Sequence, residues 1–75
     1  MTIKDLKTYY ESEYRSTKLF LENIPTWAKE KEVLGNTYQR MLGAAMLAQY
    51  CGISFAEVDN LYYEYQQKVE ALGGK

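Results

Sequence analysis

Histidine is absent from this 75-residue chain, whose chemistry-bearing side chains include ten carboxylates, eight tyrosines and one thiol. Without histidine, the usual general base at neutral pH and the commonest metal ligand are both missing. Cys51 is the single cysteine, so it has no disulfide mate and no imidazole to take its proton. It falls at the end of a helical stretch, where the dipole disfavours a thiolate, and is expected to be a small buried apolar residue. Paired carboxylates can serve as acid and base, but Glu57, Asp59 and Glu64 do not gather on one helical face, and Glu57 has a capping role. These residue types predict a chain that is not an enzyme, with no catalytic residue, no metal ligands and no cofactor.

The tyrosines point elsewhere. Tyr10, Tyr14, Tyr38, Tyr62 and Tyr65 fall on apolar helical faces and are expected in the core or at its edge. Tyr9, Tyr50 and Tyr63 fall on flanks or opposite faces, with Phe55 near Tyr63. Exposed aromatics with a polar tip are enriched at protein interfaces. Phe55, Asp59 and Tyr63 are spaced four apart, on a face distinct from Val58, Leu61 and Tyr65. Two aromatics flanking a carboxylate outside the core serve no packing purpose. Phe55, Asp59 and Tyr63, with Tyr9 and Tyr50 nearby, are therefore the expected partner-binding patch. Bases could stack on such rings, but a stacking platform also needs a basic groove, which this chain lacks.

The elements that must position these residues are helices. Thr2 can cap a first helix with Asp5 three residues on. Ile3, Leu6, Tyr10, Tyr14, Phe20, Leu21 and Ile24 then form one face of a helix over about 3–24. On the other face Lys7–Glu11, Glu11–Arg15 and Lys18–Glu22 are four apart and can pair. Pro25 stops this helix. Thr26 can cap a short helix over 27–34, in which Trp27 and Leu34 share a face turned to helix one. Gly35-Asn36 reads as a break, with Asn36 and Gln39 as a capping box for the next helix. A single helix through Gly35 would cost about 1 kcal/mol.

Met41–Gly52 is apolar or small almost all round, and is expected inside the fold with neighbours on more than one side. Ala44, Ala48 and Gly52, four apart, predict a ridge where another backbone comes close. Gly52 ends the helix over 36–51. Ser54 and Glu57 form a capping box for the last helix, over 54–72, and Ile53 can staple onto Val58. Val58, Leu61, Tyr62, Tyr65, Val69 and Leu72 give that helix its apolar face. Gly73-Gly74 ends it, leaving Lys75 as a tail. The fold class is all-α: a compact three- to four-helix bundle in a single domain over 1–75.

Residues 44–63 resemble a helix-turn-helix, through Ala48 at the close crossing, Gly52 in the turn, and Ile53, Val58 and Leu61 between the helices. The resemblance implies a dimeric DNA-binding regulator whose second helix presents Ser54, Phe55, Ala56, Asp59, Asn60 and Tyr63 to the bases. None of these is Arg or Lys, and Glu57 and Asp59 would bring negative charge toward phosphates. DNA affinity rests largely on phosphate neutralisation, so nucleic acid is disfavoured as a partner.

Net charge is minus one, from nine basic and ten acidic residues, with no basic arm. The lone cysteine and the absence of a signal-type N-terminus predict a cytoplasmic setting. The apolar stretch is too short to span a membrane. A chain this small has a thin stability margin, which leaves self-association open. In size, acidity, tyrosine content and lack of catalytic residues it is similar to the small host antagonists of phages and mobile elements, anti-CRISPR proteins included. That likeness implies a protein-interaction module that inhibits a host protein.

Overall fold

Thr2 opens the first helix with a complete capping box: the Asp5 N–H donates to Thr2 Oγ1 at 3.2 Å, and the Thr2 N–H donates to Asp5 Oδ2 at 2.9 Å. The computed structural model describes residues 1–25 and 27–73. It contains three helices, α1 (Ile3–Glu22), α2 (Glu30–Tyr50) and α3 (Phe55–Gly73), and no strand among the described residues.

Each helix touches both others. Tyr10 and Thr17 of α1 meet Met41 and Thr37 of α2, so these helices run antiparallel. The end of α3 returns to the start of α2, where the Gly73 backbone lies against Leu34 and Glu30. The bundle is 42 Å long and 16 to 18 Å across. Its core is Leu6, Tyr10, Met41, Ala45, Ala48, Val58, Tyr65 and Val69. Tyr10 sits at the centre, its ring tilted 53° to Tyr65 at 5.7 Å and edge-on to Tyr62 at 6.3 Å.

Polar groups inside are matched. The Tyr10 hydroxyl donates to the Met41 carbonyl at 3.1 Å. Thr37 gives its one hydroxyl proton to the Val33 carbonyl, so Thr17 is the donor in the 2.7 Å contact between Thr17 and Thr37. Arg40 Nη2 also donates to Thr37 Oγ1, at 3.2 Å, while its Nε donates to Glu13 at 2.7 Å. Thr17 thus fills the gap in the apolar spacing of α1, and Phe20 turns to solvent instead.

Several expectations need correcting. The helices over 27–34 and 36–51 are one helix, α2, which runs through Gly35 and Asn36 without a break. Leu34 and Thr37 are both anchored by packing, which offsets the cost of the glycine. Trp27 lies outside α2 and is 79% exposed, so it does not pack on α1. The expected cap Thr26 and the terminal Gly74 and Lys75 lie outside the described residues. Among those described, none of the three pairs expected along α1 forms; Glu11 is drawn instead to Lys68 on α3, at 4.0 Å. Cys51 is exposed, because it caps the end of α2.

The largest correction concerns Met41–Gly52, which is not interior on all sides. A helix in a three-helix bundle has its two neighbours on one side only. Thr37, Met41, Ala45 and Ala48 take the inner stripe, while Leu42, Met46, Leu47 and Tyr50 face solvent. Of the small-residue ridge, Ala48 is buried and Ala44 half-buried, but Gly52 is exposed in the turn.

Candidate functional site

The turn between α2 and α3 is tied at both ends. Gly52 takes φ +93°, the left-handed region that favours glycine. The Gly52 N–H donates to the Gln49 carbonyl at 3.0 Å, and the Ile53 N–H to the Ala48 carbonyl at 3.1 Å, which together make a Schellman motif. Ser54 Oγ then accepts from the Glu57 N–H at 3.2 Å and starts α3. Ile53 packs against the core that holds Val58. Tyr50 and Phe55 are therefore held on either side of a fixed corner.

No charged residue occurs from Met41 to Ala56. Within that run Tyr50 is 88% exposed, Phe55 67%, Met46 56%, and Leu42 and Leu47 just over half. At 100° per residue, Gly43, Met46 and Tyr50 point straight out from α2, away from the Thr37–Met41–Ala45–Ala48 stripe. A shallow hollow of about 360 Å³ is lined by Met46, Gln49 and Tyr50.

The flanks of this face are set by the neighbouring helices. Tyr38 of α2 lies beside Tyr62 and Glu70 of α3; burial first, then the Glu70 charge, raises its pKa. The Gly73 backbone meets Leu34 and Glu30 of α2, so the side of α3 carrying Gly73, with Glu70 one turn before it, is the side turned to α2. Phe55, Asp59 and Tyr63 fall on that same side by helical spacing, and all three are exposed. Leu42 and Gln49 fall on the Tyr38 side of α2, across the same groove. Toward α1, Arg40 meets Glu13, and Leu47, seven residues on, continues that flank. Tyr9 lies there too, 37% exposed, with its pKa raised by burial first and by Glu13 second.

The five residues expected to bind a partner are thus all solvent-facing, but they do not form one cluster. Phe55, Asp59 and Tyr63 border one flank of α2, Tyr9 the other, and Tyr50 stands on its crest. Leu42, Met46 and Leu47, which the sequence reading assigned to the interior, fill the middle. The signal that finds them is the helix count, since three helices cannot surround one of their own.

A groove of about 250 Å³ beside Thr17, Phe20 and Val33 contains Arg40, whose guanidinium is already held by Glu13 and Thr37. Two carboxylates of α1 are similarly engaged. Asp5 is held below its ordinary pKa by the Thr2 backbone N–H, and Glu11 by the Tyr65 hydroxyl, which donates to it. Among the described residues, no three Asp, Glu or Cys side chains are grouped to hold a metal ion, and no helix is long and apolar enough to cross a membrane.

Comparison of the chain with protein families, with curated proteins and with solved structures gives no match.

Proposed function

We propose that this chain is a non-catalytic protein-interaction module that docks through the outer side of α2, with Tyr9 on one flank and Phe55, Asp59 and Tyr63 on the other. The observation that carries the reading is the exposure of Leu42, Met46, Leu47 and Tyr50 within a run that has no charge. Leaving apolar surface in water costs about 25 cal/mol per Å², and patches of several hundred Å² on a monomer commonly mark binding sites. The absent histidine supports a role in binding rather than catalysis.

The chain's likeness to small phage and mobile-element antagonists directs the first test to bacterial proteins. The tagged chain is incubated with a bacterial lysate and captured proteins are identified by mass spectrometry. Met46→Glu, which puts a charge at the centre of the face, should abolish capture while the helical circular-dichroism signal is kept. Capture at full strength by a folded Met46→Glu chain would exclude this face. At ~150 mM salt no shift of random duplex DNA is expected, since few phosphates can be neutralised; tight, salt-sensitive binding would favour the helix-turn-helix reading instead.

A further inference from the structure

Gly43 lies in the middle of α2, on its outer side, with nothing within 4 Å of the position a Cβ would take. A mid-helix glycine weakens a helix relative to alanine, and no neighbour within this chain requires one there. Seven residues on, Tyr50 is the most exposed large apolar residue among those described. Seven residues are close to two helical turns, so Gly43 and Tyr50 stand on the same line along α2, about 10 Å apart. The outer face therefore carries a gap and a projection side by side.

We propose that the occupant of this face is a second copy of the chain, bound antiparallel so that Tyr50 of each copy fills the gap over Gly43 of the other. This rests on the docking reading above and names its partner. A two-fold axis beside Met46 and Leu47, midway between Gly43 and Tyr50, places both rings at once, as a self-complementary contact requires. The face meets itself without repulsion, because neither copy brings a charge between Met41 and Ala56. The size also suits a pair. At their exposures Leu42, Met46, Leu47, Tyr50 and Phe55 offer roughly 500–600 Å² per copy, and two such faces reach the roughly 1,000 Å² that specific interfaces need. Gly43, away from the axis, leaves room for the ring without pushing the two helices apart.

Sedimentation equilibrium on the full chain tests this. The apparent mass should rise with concentration from the 8.7 kDa monomer toward twice that value. Gly43→Leu fills the gap and should weaken the dimer by about tenfold or more, the scale of a lost interface anchor. Its melting point in dilute solution should not fall, because leucine is the better helix former. Tyr50→Ala should weaken the dimer similarly. In a Cys51→Ser background, oxidation should bridge Met46→Cys to itself across the axis and leave Gly43→Cys unbridged.

A dimer indifferent to both Gly43→Leu and Tyr50→Ala, or one bridged more readily through Gly43→Cys, would overturn this arrangement. A chain that stays monomeric at every concentration, yet loses its lysate partner with Met46→Glu, would overturn the second copy and leave the docking face standing. A monomer whose capture ignores Met46→Glu would remove both.

Discussion

Thr37, Met41, Ala45 and Ala48 face inward from α2, and Leu42, Met46, Leu47 and Tyr50 face out. The two sides share much the same chemistry. Each carries a methionine, and neither carries a charge beyond Arg40. What separates them is geometry: two neighbouring helices stand on one side and none on the other. In α1 the polar and apolar sides are chemically distinct, so the sequence announces which is buried except at Thr17 and Phe20. In α2 it does not, and burial follows from the number of helices available to cover it. An apolar helix is therefore evidence of core only when enough other elements exist to enclose it.

The sharpest test applies one substitution to each side. Met41→Ala removes a fully buried side chain and should cost about 2–5 kcal/mol. Met46→Ala, on the outside, should stay within about 0.5 kcal/mol. Equal losses in urea or thermal melts would mean that both sides are packed. Ala48→Leu, on the inner stripe, should cost about 1–3 kcal/mol by overpacking a close crossing. An unchanged midpoint would remove Ala48 from the core.

Tyr10→Phe probes the inner side through its hydrogen bond to the Met41 carbonyl and should cost about 1 kcal/mol. Burial, then Tyr62 and Tyr9, push the Tyr10 pKa up to about 12. Its neutral form is the one the fold holds, so its contribution is full below about pH 10, the ordinary phenol value, and is lost as pH rises toward 12. The stability gap between wild type and Tyr10→Phe should close over that window. A gap that widened there would reverse the sign. The smallest effect is expected from the double change Phe55→Ala and Tyr63→Ala, which should leave the melting point nearly unaltered, at most about 0.5 kcal/mol per site. Loss of the folded state would place these rings in the core.

The helix ends were the most legible part of the sequence. Thr2 with Asp5, Ser54 with Glu57, and Gly52 each encode a local hydrogen-bond pattern that needs no distant partner; the structure contains the first and third in full, and of the expected Ser54–Glu57 capping box the Ser54 half. The break at Gly35-Asn36 failed because local capping competed there with packing that the sequence does not show. The start of α2 makes the same point, since Lys29 offers no side-chain cap. The Tyr65–Glu11 and Thr17–Thr37 contacts join residues far apart in the chain, and spacing rules reach only one or two turns. For the candidate site, the aromatic flanks were visible as off-face residues. The centre was hidden by being apolar, which is also how core residues look.

The hydroxyl pair of Thr17 and Thr37 has a further effect on the molecule as a mechanical object. If α1 slid along α2 by one turn, Thr37 would keep the Val33 carbonyl and Arg40 on its own helix, but the buried Thr17 hydroxyl would lose Thr37 as its acceptor. A buried polar group without a partner costs about 1–3 kcal/mol, whereas an aliphatic pair at the same place would tolerate the slide. The pair thus acts as a detent between the two rods, alongside the Tyr10 hydroxyl on the Met41 carbonyl and Arg40 on Glu13. It fixes their alignment even where it adds little to their attraction, and it keeps Tyr9 at a constant height beside the outer face of α2.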